Sequence, residues 1–531
     1  MRCIQYAIGF ILSFQATAQQ VDWLTAAPVG FSLNPAMPDQ ALASAPGRLV
    51  AMRTVSNSLI YGQTLYGEVA LDALDPVTGG VLLSCLLGDS VSVGAAAVDA
   101  AGIAYFTGRF MGDVLEFCDG TQLAGIGGDP FTENHFLLAW DLTSGSALWM
   151  RNLSISYPAA ADVPSLALDP DGSLWYVLQD FFDGRAVRVD AMGNDAEVRD
   201  ISGIRRFGTI SFDPWGGLYV SGSCENGTVS FGGQDFPVES DEGYNMFVLR
   251  YKPDGTAGFA EFADDVTFTN PTVVAATDGH AYIAGDLFLQ GTDWGGITFN
   301  GPNWVYDVFI AKLDSTGQFL WGLQSAPTGG GINGDMHRAK GPCVAVDAND
   351  NPYLFGTLRG VIDWGNGVVS NGLTLGAQTM SVVAFAQDGT PQWAATSTPG
   401  PYQESQTITA LAETDALHFA GHINGTLTFG AHTVNAGGQQ AAVVGRIGDL
   451  STGIAHAPEA PALLSCPNPA HTVCTIHAAS AQSAQLLDGG GQIVRSIRLT
   501  AGANVLSLSG LAPGIYLLRS KDGGVTKLTV E

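Results

Sequence analysis

Charge is scarce in this chain: only 14% of its 531 residues are Asp, Glu, Lys or Arg, while 46% are hydrophobic. That balance excludes a disordered or charge-rich low-complexity protein. Basic side chains are scarcest, 22 Lys and Arg against 50 Asp and Glu, for a formal charge of −28. Such a surface repels phosphate backbones, so no nucleic-acid partner is expected. Beyond the first fourteen residues no apolar run is long enough to cross a bilayer, and no transmembrane segment is expected. Cysteine is sparse, seven in all with no Cys-x-x-Cys pair, which excludes zinc-ribbon and thioredoxin-type sites. What abounds is Gly (68) and Pro (25), residues that favour turns over helix interiors.

The N-terminus carries a positive start, Met1 and Arg2, then a mostly apolar run over residues 4–14, then small residues from Ala16 to Ala18. This reads as a secretory signal, residues 1–18, cleaved between Ala18 and Gln19. A membrane-spanning helix is the competing reading, but Gln15, Gln19 and Gln20 stop the run short of about 20 apolar residues. Cleavage would leave six cysteines, too few for a disulfide framework. Cys466 and Cys474 are near enough to close a small loop, with two buried free thiols as the alternative. Cys85, Cys118, Cys224 and Cys343 show no short pairing.

Internal repetition is the strongest signal. A hydrophobic strand runs through an Asp/Gly/Thr/Ser turn into a second strand, often with Trp; residues 308–321 (VFIAKLDSTGQFLW) are the clearest copy. The turn glycines are Gly79, Gly145, Gly193, Gly255, Gly317, Gly389 and Gly453, about 62 residues apart on average. Upstream of most copies lies a second strand pair across a tight turn, as in residues 166–177 (LALDPDGSLWYV) and 344–355 (VAVDANDNPYLF). Each unit therefore holds four short strands, A to D. Small sheets repeated in this way can bury both faces only against one another, so the fold class is all-β: a seven-bladed β-propeller over residues 19–454, with six or eight blades the alternatives. The last unit lacks a Trp-bearing D strand. Residues 21–25 (VDWLT) resemble one, so the N-terminus is expected to complete the last blade rather than form a free tail. An aromatic between glycines recurs in the B–C connections at Phe231, Trp294, Trp364 and Phe429, as a cap on each blade or as a sugar-stacking platform.

These units resemble the β-propeller repeats of secreted Bacteroidetes proteins, a likeness that implies a propeller and no single activity. Residues 455–461 are Ala/Pro-rich, as a linker would be. Residues 462–531 then show alternating strands and Gly/Pro turns, the pattern of a small antiparallel sandwich. With Pro467, Asn468 and Pro469, the run containing Gly514 and Tyr516, and the strand of Lys527, this segment resembles the type A sorting domain of the type IX secretion system. Cys466 departs from the aromatic common before that Pro-Asn-Pro. The resemblance implies passage through the periplasm, the secretion machinery as partner, and release or attachment at the outer cell surface. The tail carries a net +2, leaving −31 on residues 19–461.

Chemistry is harder to find. The chain has no Gly-x-Ser-x-Gly elbow, phosphate-cradling loop or His-Glu-x-x-His. No catalytic residue, metal or cofactor is expected. Asp169 and Asp347 are expected to bond their own turns rather than calcium. Since the A–B and C–D turns are tight, the long B–C and D–A connections share one face, where a local function would lie. Candidate ligand contacts there are Trp304, Tyr306, Asp335, His337 and Arg338. The expectation is a non-enzymatic propeller binding an extracellular protein, glycan or matrix component; the alternative is a hydrolase or lyase acting on polysaccharide. His, Asp and Arg converging at the channel mouth would favour the enzyme, small residues there the binder.

Overall fold

The computed structural model describes residues 21–31, 39–61, 64–127, 129–181, 183–241, 243–265, 270–287, 292–299, 307–325, 334–372, 377–400, 402–411, 415–448, 450, 464–466, 469–478, 481–488, 492–520 and 525–531. The chain divides into two compact units, residues 1–450 and 451–531. Among the described residues the first unit is built of strands, with one four-residue helix, Leu153–Ser156.

Pairing in residues 21–450 gives sheets of eleven, six, five, four and four strands with three two-stranded hairpins beside them, and within these, four-strand antiparallel groups follow one another in chain order and are numbered here from the first. The third orders Asp162–Leu168, Leu174–Gln179, Asp183–Val189 and Asp195–Ser202 in chain sequence, and its last strand pairs on with Gly227–Phe231 and, through it, Gln234–Val238. The A strands of successive sheets pack side by side and the circuit closes, the first (Gln40–Ala45) meeting the seventh (Tyr402–Leu411). This is a β-propeller. The first and second sheets share one long strand, Val81–Val98, whose first half is a D strand and whose second half is the next A strand.

The seventh sheet is completed from the other end of the chain. Val21–Phe31 lies antiparallel to His432–Ile447, with Val21 opposite Ile447 and Val29 opposite Gln440. Val21, Trp23 and Val29 are buried there, and Asp22 pairs with Arg446. The expected closure by the N-terminal strand is therefore present, and it removes an open strand edge.

Turn chemistry follows the repeat. Asp169 Oδ1 accepts from the backbone N–H groups of Asp171 and Ser173, and Asp347 Oδ1 from those of Asn349 and Asn351. These carboxylates are occupied by their own Asx turns, as expected. In the C–D turns, Gly79, Gly193 and Gly389 have φ of 72, 85 and 84°. Each faces the D-strand Trp of the preceding sheet: a Cβ would lie 2.6 Å from Trp23, 2.7 Å from Trp149 and 2.8 Å from Trp321. Phe259 meets Gly317 the same way, at 2.7 Å. The Gly-and-Trp signature is thus an inter-sheet contact, with the ring of one unit seated on the bare backbone of the next.

The B–C aromatics are buried: Phe231, Trp294, Trp364 and Phe429 all lie inside. Trp294 meets Phe309 edge-on at 4.5 Å, and Trp364 meets Phe385 at 5.8 Å. They cap the core, and the sugar-platform reading of these four rings is set aside.

Cysteine pairing is decided by the fold. Cys85, on the D strand of the first sheet, is bonded to Cys118 in the B–C connection of the second, 33 residues on. Folding, not spacing, brings them together. Cys474 is a free, buried thiol, so the bridge to Cys466 does not form. Cys224 and Cys343 are also free and buried, their thiols pushed up to about 12 and about 11 by burial. Replacing Cys85 and Cys118 with Ala is expected to lower stability by about 3–4 kcal/mol, the loop-closure value for a ring of this size. Denaturant unfolding of the variant against the oxidised parent measures it.

The second unit packs two small sheets. One orders Leu464–Cys466, Val473–Ala478 and Gly502–Ser507; the other orders Ile493–Leu499, Gln482–Leu487, Gly514–Ser520 and Val525–Val530. Cys474, Ile476, Leu486, Leu518 and Leu528 share its core. The Tyr516 hydroxyl donates to the Ala512 carbonyl at 2.9 Å, and Lys527 pairs across from Leu517. Gly514 and Pro469 are exposed; Pro467 and Asn468 lie outside the described residues, as do Ala18 and Gln19.

Candidate functional site

The seven A strands line an axial cavity of about 380 Å³. Its wall is built of small and apolar side chains, among them Leu42, Ala97, Ala167, Ser211, Ala275, Ala345 and Ile408. The polar exceptions serve neighbouring strands: the Ser44 and Thr409 hydroxyls bond each other at 2.8 Å, and Ser211 Oγ accepts from the Ala275 N–H. The bore itself presents little to a polar ligand.

A second cavity, about 370 Å³, is lined only by the fifth, sixth and seventh sheets, where B strands end and A strands begin. That is the side of the long connections. It is lined by Asp286, His337, Arg338, Lys340, Thr357, Arg359, Gln378, Tyr402, Glu404 and Ser405. The candidates His337 and Arg338 are among them. Asp335 is buried and does not line the cavity, while Trp304 and Tyr306 lie outside the described residues. Asp335–Arg338 was expected in a loop; it is a strand paired with the B strand of its sheet, Asp335 opposite Arg359 and His337 opposite Thr357.

Charges in this cavity are partly matched. Asp286 takes the Arg338 backbone N–H at 2.9 Å and lies 3.6 Å from its Nε. Burial raises the Asp286 carboxyl, against the pull of Arg338. Lys340 pairs with Asp39, and its ammonium is held above the usual range by that carboxylate in spite of burial. Burial likewise raises Glu404, with Lys340 opposing, and raises the Tyr402 hydroxyl, aided by Glu404. His337 is held down at about 4, by burial first and then by Arg359 and Arg338, so it is neutral at pH 7. Arg359 has no carboxylate within ion-pair distance among the described residues. Arg338, Lys340 and Arg359 face Asp286 and Glu404, with Asp39 on Lys340, so cations and carboxylates are equal in number and Arg359 is the cation left without an ion pair among the described residues.

The sequence reading missed Asp286, Arg359, Tyr402 and Glu404. Each stands near the end of a B strand or the start of an A strand in consecutive repeats, and that position in the repeat is the signal that groups them. Nearby, His422 is fully buried and its ring nitrogens have no hydrogen-bond partner among the described residues. Burial, then Lys340, holds it down at about 3. Unfolded, it would titrate near 6.5, so the unfolded chain binds the extra proton between those values and stability falls as pH drops through that window. His422→Phe is expected to remove about 2 kcal/mol of the stability loss between pH 7 and pH 5. Denaturant unfolding at both pH values tests this; an unchanged pH dependence would contradict it.

Among the described residues no helix is long and apolar enough to cross a membrane, and no group of three or more His, Cys, Asp or Glu could hold a metal ion. Propeller and sandwich together define a class: a β-propeller carrying a separate C-terminal module. Residues 466–530 match the secretion system C-terminal sorting domain family. The module is therefore a type IX sorting domain, which marks the chain for secretion or cell-surface attachment. No curated protein sequence matches the chain. Among solved structures it is similar to PorZ, a surface component of the type IX secretion system of Porphyromonas gingivalis, at 12% identity and a TM-score of 0.31, over 93% of this chain and 70% of that one. It is also similar to the Dos1 propeller (10%, TM-score 0.35, 79% and 94%) and to virginiamycin B lyase from Staphylococcus aureus (11%, TM-score 0.28, 66% and 94%). Likenesses at this level carry no functional argument.

Proposed function

We propose that the chain is an exported, non-enzymatic binding propeller, with residues 1–18 as its export signal, residues 455–461 as a linker, and its ligand site on the long-connection side. The observation that carries this reading is Arg359, a guanidinium that lines the cavity and has no carboxylate within ion-pair distance among the described residues. An anionic group on a glycan or protein satisfies it, with two parallel hydrogen bonds available from the fork. The ligand is one with a localised charge, since the acidic remainder of the surface repels a uniform polyanion.

An array of acidic and neutral oligosaccharides, with a panel of extracellular proteins, tests this on the full chain. Binding of an acidic member is expected, and Arg359→Ala is expected to weaken it roughly tenfold, the effect of one charge-assisted hydrogen bond. Equal binding by the variant would reject the site. The rival reading is a polysaccharide lyase or hydrolase, favoured by the nearness of His337, Tyr402 and Glu404 to Arg359. Turnover of an acidic saccharide, lost in His337→Ala, would establish that alternative.

A further inference from the structure

The opposite side of the propeller, where the tight A–B and C–D turns lie, carries a further cavity of about 280 Å³ between the third and fourth sheets. Its most unusual element is Trp215, in the turn after Phe212, whose side chain leaves the residue 61% exposed. A tight turn needs no Trp. The turn is closed by Asp213, whose Oδ1 accepts from the N–H groups of Trp215 and Gly217. The indole is held from behind: a Cβ at Gly279 of the next sheet would come within 2.7 Å of it. It is a fixed aromatic plate at the rim of a cavity.

Polar groups converge on the same cavity. Arg199, 9% exposed, stacks over Trp175 at 4.6 Å and is held by Glu197 at 2.7 Å. Its Nη1 has no hydrogen-bond partner among the described residues. Arg188 lies 3.7 Å from the other Glu197 oxygen, and Asp171 completes the rim. An apolar plate beside planar donors and acceptors matches a pyranose ring, which has an apolar C–H face and an edge of hydroxyls. Charge selects among sugars. Two arginines face Asp169, Asp171 and Glu197, a slight negative excess that disfavours a uronate.

We propose that this cavity binds a neutral saccharide, one pyranose stacking on Trp215 with its hydroxyls bonded to Arg199, Arg188 and Asp171. The site is separate from the Arg359 cavity and stands or falls without it. Titration calorimetry of the full chain with cellohexaose, xylohexaose, mannohexaose and laminarihexaose tests it, with tetragalacturonate as the charged comparison. At least one neutral hexasaccharide is expected to bind in the micromolar to millimolar range. Trp215→Ala is expected to weaken that binding about tenfold or more, and Trp215→Phe to restore much of it, because stacking needs only the ring. Trp215 is largely exposed, so an unchanged thermal unfolding midpoint for Trp215→Phe confirms that the fold is kept. Binding of tetragalacturonate alone, no binding by any neutral sugar, or binding indifferent to Trp215→Ala would each overturn the proposal.

Discussion

Deleting residues 21–31 is expected to yield material that elutes as aggregates or strand-exchanged oligomers larger than the parent protein. The strand supplies the outer edge of the seventh sheet, pairing along His432–Ile447 from Ile447 to Gln440. Without it that edge is a row of unpaired N–H and C=O groups, a template for another chain. The loss also uncovers the seat between the seventh and first sheets, where Trp23 lies against Gly79 and tilts over His418 at 5.7 Å. The narrower change, Trp23→Ala, is expected to cost about 3–5 kcal/mol, typical of removing a buried Trp. Light scattering after size exclusion, together with thermal unfolding, reads both. A monomeric deletion with an unaltered midpoint would show that closure does not depend on this strand.

Gly389→Val is expected to cost about 2–5 kcal/mol, far more than an ordinary turn substitution. Two effects add. At φ of 84° a β-branched residue is strained by about 1–2 kcal/mol. Its Cβ would also stand 2.8 Å from the Trp321 ring, which is anchored by donation from Nε1 to the Gln387 carbonyl at 2.8 Å; pushing that ring aside adds about 1–3 kcal/mol. The seat predicts coupling. With Trp321→Ala in the background the overlap is gone, so Gly389→Val should cost only its backbone strain. Strictly additive costs in a denaturant double-mutant cycle would mean that ring and turn are independent. Gly193 against Trp149 offers the same experiment at another junction.

The two cavities differ in how far the sequence could lead to them. His337 and Arg338 were within reach because the long connections mark one side of a propeller. Their assignment to a loop failed because a hydrophobic pattern broken by Asp, His and Arg does not look like a strand, yet Met336 and the pairing with Arg359 make it one. Arg359, Glu404 and Tyr402 were not grouped with them because they lie 21 to 67 residues away along the chain. Trp215 stands in an A–B turn that sequence pattern does not set apart; only its exposure, and the cavity beside it, distinguish it.

The sequence by itself determined the repeat, the four-strand unit, the self-bonded Asp turns, the closing strand and the sorting tail, because each is written in neighbouring residues whose hydrogen bonds and burial are settled locally or by periodicity. The tertiary structure alone decided which cysteines meet, why the turn glycines and Trp recur together, and where unmatched charge gathers. Those depend on contacts between units, and a closed ring sets side by side residues that the linear chain keeps far apart.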